Sequence, residues 1–409
     1  MTSLTTPLPE TLGLSSAGLD RVDAALLDYI ERGALAGAVT LVARHGQIVR
    51  VRALGKKDLA STEPMREDTI FRIFSMTKPV TGTAMMILHD EGRWHPDDPI
   101  AKHLPEFESV QVYAGTNADG EMQCVPPDHA PTLGELMTHT AGFSYGTRFV
   151  DPADPVGSLY KDTGIWNAVN LDAFVQQVAR LPLAYQPGSN WRYSLSMDLQ
   201  GAIIERLSGQ SLPDFMHERI FAPLGMHDTA FHTPPEKRHR LATLYAQEGN
   251  SGLIVYPNPL TRSDWDHPPS MPLGGAGLVS TAHDYARYAQ MLLNKGELDG
   301  KRIVSRAASE QQMTARLPDT MLRDGIKTGH YTLRPGFSYA YNGAVVTDPT
   351  LAGMPVGAGT YQWDGAADTW FWVDPSNDLV FIGLVQLLSF SAPPLQRITQ
   401  ELIADALIA

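Results

Sequence analysis

Phe71-Arg72-Ile73-Phe74-Ser75-Met76-Thr77-Lys78 sets a serine hydroxyl and a lysine amine three positions apart at the start of a helical pattern. Residues i and i+3 share one face of a helix. A hydroxyl is a poor nucleophile near neutral pH and needs a proton acceptor within hydrogen-bond reach, which a lysine one turn later supplies. The pattern runs on through Pro79-Val80, with Ala84, Ile87 and Leu88 following Val80 at helical spacing, and stops at Gly92. This predicts an amphipathic helix with a proline in its first turn and a glycine stop. Ser75 then sits at a helix N-terminus, where the dipole and free N–H groups favour developing negative charge.

The tetrad alone does not discriminate, because Ser158-Leu159-Tyr160-Lys161 repeats it. That copy lies between Asp151-Pro152-Ala153-Asp154-Pro155-Val156-Gly157 and Asp162-Thr163-Gly164, a run of turn formers that predicts a surface loop. Gly142-Phe143-Ser144-Tyr145-Gly146 matches the Gly-x-Ser-x-Gly nucleophile elbow, which needs a strand before it and a helix after. Both flanks disagree: Leu133 to Ala141 has helical spacing, and Thr147 to Pro152 reads as loop. A helix-capping turn accounts for these glycines better.

With 409 residues, 43% of them hydrophobic, the chain has material for a large core and two lobes. Its formal charge of −13 is spread along the sequence without a basic block to neutralise phosphates, which argues against nucleic-acid binding. Cys124 is the only cysteine, so an internal disulfide framework and a thiolate metal cluster are excluded; it reads as a small apolar filler in a reducing compartment. The first fifteen residues lack a basic stretch followed by an apolar one, and no run reaches membrane-spanning length. The expectation is a soluble cytoplasmic protein. The thirteen histidines are dispersed and form no His-Glu-x-x-His, so no metal and no cofactor are expected. His139 and His283 read as structural, and Gly274-Gly275-Ala276-Gly277 as a tight turn where backbone approaches backbone.

Leu19 to Gly33 reads as a helix, followed by a hairpin of Ala38 to Arg44 and Gln47 to Leu54 around His45-Gly46. Near the other end, Gly359 to Trp363, Thr369 to Val373 and Leu379 to Leu384 read as strands, and Leu395 to Ile408 as a closing helix. The middle is mostly helical pattern interrupted by proline-rich loops such as Cys124 to Pro131. The expected fold is α+β: the terminal strands form one antiparallel sheet flanked by the terminal helices. Residues 1–74 and about 271–409 then make a discontinuous α/β domain, and about 75–270 a helical one, with the site in the cleft between.

Serine-lysine chemistry wants a third group to protonate the leaving group, and a tyrosine whose phenol is lowered towards neutrality by nearby positive charge suits the task. Of fourteen tyrosines, Tyr193 stands out at a loop-to-helix junction after Gln186-Pro187-Gly188-Ser189-Asn190 and Trp191. A purely structural aromatic fits that position equally well.

Several segments, in order, resemble the serine esterases with a class C β-lactamase fold, often called family VIII carboxylesterases, and through them class C β-lactamases and penicillin-binding proteins. They are Met65 to Pro79, Asp97-Asp98-Pro99-Ile100 with Leu104-Pro105-Glu106-Phe107, Leu136 to Gly142, Pro187 to Ser194, Pro223 to Thr229, and Gly274 to Ala282. The resemblance implies Ser75 as nucleophile, Lys78 as its base partner and Tyr193 as proton relay. It also implies an oxyanion hole from the N–H groups of Ser75 and Ala366. The third motif of the family, Lys-Thr-Gly in β-lactamases and Trp-Gly-Gly in many of the esterases, stands here as Trp363-Asp364-Gly365. β-Lactamases usually carry asparagine two positions after the tyrosine, where this chain has Leu195. Both departures replace polar contacts to an anionic amide with apolar surface. The implied activity is hydrolysis of a small carboxylic ester of short-to-medium acyl chain, with β-lactam or D-amino-acid peptide cleavage and acyl transfer as alternatives on the same frame, and a catalytically silent binding or sensor homologue as the non-enzyme alternative. Trp363, Gly365, Phe143, Tyr145 and Trp265 are the candidate substrate contacts.

Overall fold

The computed structural model describes residues 8–146, 153–247, 252–256, 265–328, 331–389 and 393–408. Its frame is a sheet built from both ends of the chain. Helix α1 (Ser16–Glu31) leads into β1 (Gly37–Arg44) and β2 (Gln47–Gly55); α2 (Thr77–Asp90), α3 (Ser196–Ser208) and α4 (Ala282–Leu293) follow; then come β3 (Phe337–Tyr339), β4 (Ala344–Val346), β5 (Tyr361–Gly365), β6 (Thr369–Asp374), β7 (Leu379–Leu384) and α5 (Leu395–Ala406). The strand order is β3-β4-β5-β6-β7-β1-β2, and every adjacent pair is antiparallel.

The expected hairpin is present, with His45 and Gly46 at φ 52 and 72, the two positive angles that a tight turn matching strand twist requires. Each of β1, β6 and β7 is buried on both faces, which explains their continuous apolar runs. On one face, Val42, Trp370, Trp372 and Phe381 pack with Leu19, Val22 and Leu26 of α1 and Leu395 and Ile403 of α5. On the other, Val39, Leu41, Phe371 and Ile382 join the larger core that contains α2, α3 and α4.

Three readings need correction. Helix α2 is not amphipathic, because every residue from Thr77 to Leu88 is buried. Its small and hydroxyl residues let neighbours approach from all sides, and Thr81 and Thr83 are satisfied by the Gly274 carbonyl and by Tyr288 and Gln312. Ser158 lies in a helix, Pro155–Asp162, and not in a loop. Asp154 caps it by accepting from the Gly157 N–H, and Pro155 occupies its first turn, so these residues act as a helix start. Cys124 is exposed, on a hairpin of Val112–Thr116 and Met122–Val125. The mostly helical middle thus contains a strand pair that the proline-rich segment concealed. Among the described residues, no helix is long and apolar enough to cross a membrane.

Candidate active site

Ser75 lies in a single 3-10 turn, Phe74–Met76, immediately before α2. The turn is fastened on several sides. Ile73 donates its N–H to the Leu278 carbonyl, and Tyr285 of α4 donates its hydroxyl to the Met76 carbonyl at 2.8 Å. Thr77 Oγ1 accepts from the Leu278 N–H at 3.1 Å. Phe74 has a φ of 42, a left-handed conformation that costs an aromatic residue on the order of 1–3 kcal/mol. It is held by burial and by an edge-on contact with Trp265, ring centroids 5.3 Å apart.

One turn on, the Lys78 amine lies 3.0 Å from Ser75 Oγ and donates to the Gly275 carbonyl at 2.7 Å. Lys78 is fully buried. Burial pushes its amine down from an ordinary 10.5 to about 7, against the opposing pull of the Asp198 and Asp364 carboxylates. The Tyr193 hydroxyl is within hydrogen-bond reach of Ser75 and accepts from Trp363 Nε1 at 3.4 Å. Lys78 Nζ stands 4.7 Å from the centre of the Tyr193 ring. The expectation of a phenol lowered by positive charge is overturned: burial dominates and holds Tyr193 well above the usual range. Of the two groups, the lysine therefore gives up its proton the more readily.

Tyr193 is enclosed by rings, with those of His139, Tyr145 and Trp363 at 4.9, 5.3 and 5.6 Å. His139 hydrogen-bonds Ser194 through Nδ1 at 2.9 Å and is kept neutral by burial, which pushes its imidazole well down. Tyr145 is half-buried, and its ring lies 5.2 Å below Lys78 Nζ. Trp363 and Leu195 are fully buried where polar β-lactam contacts were expected to be missing.

The candidate contacts separate into two groups. Tyr145 packs under Lys78, Trp363 against Tyr193 and Gly365 against Ile73, two positions before Ser75, with exposed Ala366 next in the turn after β5. Phe143 is buried against Phe107 at 5.5 Å, in the core beneath the site. Trp265 packs edge-on against Phe74, the neighbour of Ser75, and its indole N–H donates to the Gly277 carbonyl. Ser144 is buried, and its Oγ accepts from the Gly146 N–H at 3.1 Å; the loop read after it, residues 147–152, lies outside the described residues. Asp364, next to Trp363 on β5, lines a cavity of about 310 Å³ bounded by Trp370, Leu395 and Arg397. Sequence reasoning missed Asp198, a buried carboxylate accepting from the Gly275 N–H at 2.9 Å.

Gly365 joins the strand to the nucleophile turn. A Cβ there would collide with the Ile73 carbonyl and Thr369 Oγ1, so Gly365→Ala has to push β5 and the Ser75 turn apart. An ångström of misplacement costs about 100-fold in rate; kcat is expected to fall roughly 10- to 100-fold with the protein still folded by circular dichroism. Activity within about twofold of the parent would show that this contact does not set the geometry.

The chain is similar to known proteins over nearly its whole length. A family model described as beta-lactamase matches residues 22–405. Protein Rv1367c of Mycobacterium tuberculosis (strain H37Rv) is 36% identical over 375 residues, covering 90% of each chain. Esterase EstB of Burkholderia gladioli is 32% identical over 385 residues, covering 89% of each. The solved structure of EstCE1, described as a hydrolase with promiscuous acyltransferase activity, superposes with a TM-score of 0.77 at 27% identity, over 96% of this chain and 99% of that one. With a family model spanning nearly its whole length and a serine-lysine-tyrosine cluster beside β5, this chain belongs to the beta-lactamase family.

Proposed function

We propose that the chain is a serine carboxylesterase that cleaves small neutral esters of short-to-medium acyl chain through an acyl-enzyme on Ser75. The observation that carries this is the hold on one oxygen: Ser75 Oγ lies 3.0 Å from a buried amine whose basicity is brought to about 7 and within reach of a buried phenol. A neutral amine has two N–H groups and one lone pair. With one N–H on the Gly275 carbonyl, the lone pair is available to the Ser75 hydroxyl.

Ser75 Oγ attacks the ester carbonyl as Lys78 takes its proton. The N–H groups of Ser75 and Ala366 stabilise the oxyanion, typically the largest catalytic contribution. On collapse, Tyr193 protonates the departing alkoxide, and the Lys78 ammonium returns a proton to Tyr193. Water then attacks the acyl-enzyme with Lys78 again as base, and Ser75 leaves with its proton restored. The site opens between the discontinuous α/β unit (1–74 and about 271–409) and the helical middle, and the single cysteine supports a cytoplasmic setting.

Buried Trp363 and Leu195 favour esters over β-lactams, since neither offers a charge to a β-lactam carboxylate. Parallel assays with p-nitrophenyl esters of two to eight carbons and with nitrocefin test this: ester turnover is expected to dominate, with an optimum at short or medium chains. Faster nitrocefin turnover would move the assignment to a β-lactamase or D-amino-acid peptidase. The transferase activity described for EstCE1 favours a second reading, in which an added alcohol competes with water for the acyl-enzyme; transesterified product detects it.

A further inference from the structure

Asp198 has no step in the ester mechanism above, yet it is buried within reach of its base. It lies five positions after Tyr193, in the first turn of α3, with 1% of its surface exposed. Its Oδ1 accepts the Gly275 N–H at 2.9 Å, and the carbonyl of that same residue accepts from Lys78 at 2.7 Å. Its Oδ2 is buried without a hydrogen-bond partner. Gly275 is held from two helices, because Thr81, one turn after Lys78 on α2, donates to the adjoining Gly274 carbonyl at 2.7 Å. The approach is close enough to demand glycine. A Cβ on Gly275 would stand 2.9 Å from Asp198 Oδ2 and 2.7 Å from the Tyr145 hydroxyl, and one on Gly274 would strike the Met197 carbonyl.

We propose that Asp198 is a positioning residue that sets both the direction and the basicity of the Lys78 amine through the Gly275 residue. The inference rests on the reading of Lys78 as the base for Ser75. Hydrogen bonds in series polarise one another in a low dielectric. A carboxylate on the Gly275 N–H holds that residue where its carbonyl takes one lysine N–H and aims the lone pair at Ser75. The same negative charge stabilises the ammonium that forms when Ser75 gives up its proton. Asp364 across β5 acts on Lys78 in the same sense, more weakly; Tyr193 and His139 are held neutral near pH 7 by burial, and the Tyr145 ring lies 5.2 Å from the amine. Burial lifts Asp198 itself only to about 6, so it is ionised where the ester reaction runs.

Asp198→Asn keeps an oxygen for the Gly275 N–H and removes the charge. Because that charge raises the proton affinity of Lys78, its loss moves the acid limb of the kcat/KM profile to lower pH. The expected result is a fall in kcat of about tenfold or more, KM within roughly twofold, and an acid limb displaced by at least about half a pH unit. A merely structural carboxylate would lower activity and leave the limb in place, so an unmoved limb overturns the proposal. If the Asn variant does not fold, Gly275→Ala probes the same link: its Cβ displaces the carbonyl from Lys78, and fluorophosphonate labelling of Ser75 is expected to slow about tenfold. Unchanged labelling overturns the proposal. Wild-type protein that hydrolyses ester and is labelled at Ser75 establishes the underlying reading; if it does neither, both fail, whereas an active wild type with an unmoved limb in the variant removes only the role of Asp198.

Discussion

Ser75→Ala is expected to lower kcat for p-nitrophenyl butyrate by about 10⁴- to 10⁶-fold, the range seen when a covalent nucleophile is removed. Binding and the oxyanion donors remain, so a small residual rate over water is expected and KM moves little. Two other serines provide the contrast. Ser144 carries the elbow motif, but it is fully buried, its Oγ is engaged by the Gly146 N–H, and no lysine stands one turn away. Ser158 shares the Ser-x-x-Lys spacing on a real helix, but Lys161 is exposed to solvent where Lys78 is fully buried. Spacing is thus equal in the two tetrads, and burial of the amine separates them. Ser144→Ala and Ser158→Ala are each expected to keep kcat/KM within about fivefold, and a fluorophosphonate probe is expected to label every variant except Ser75→Ala. Loss of labelling in Ser144→Ala with retention in Ser75→Ala would restore the nucleophile elbow.

What the sequence disclosed follows the range of the interactions. Lys78 sits over Ser75 because of one local turn, so spacing alone brought the two together. The β1–β2 hairpin was equally local, since its turn residues and apolar runs are contiguous. Strands β3 and β4 were not legible, because three residues each, Phe337–Tyr339 and Ala344–Val346, carry no measurable period. Asp154-Pro155 was misread because the residues that make turns also start helices, and only the capped Gly157 N–H distinguishes the two uses. Phe143 and Tyr145 are two positions apart and equally aromatic, yet one fills the core and the other faces the amine. Asp198 reads in sequence as the polar face of a helix. Its role depends on Gly275, 77 positions away, and on burial that no local pattern reports.

Lys78→Arg is expected to lower kcat by about 10²- to 10⁴-fold, the usual contribution of a general base. The substitution keeps a positive charge near Ser75 and Tyr193 but supplies a group that stays protonated at any working pH and has no lone pair to offer. It therefore separates two roles for the wild-type lysine. If Lys78 served only as a fixed cation, arginine would replace much of its function; if it is the base, arginine cannot. The pH profile gives the same test without mutation. Burial brings the amine to about 7, so the lone pair is present above that value and lost below it. The wild-type kcat/KM is thus expected to rise about tenfold per pH unit on the acid side, bend near 7, and level off while Tyr193, held protonated by burial, remains able to donate. An amine left near its ordinary value of about 10.4 would have only about one molecule in a thousand neutral at pH 7.4, and activity would still be climbing at pH 9. A profile rising only above pH 9, or an arginine variant within about tenfold of wild type, would remove Lys78 as the base and transfer the proton to a Tyr193 phenolate.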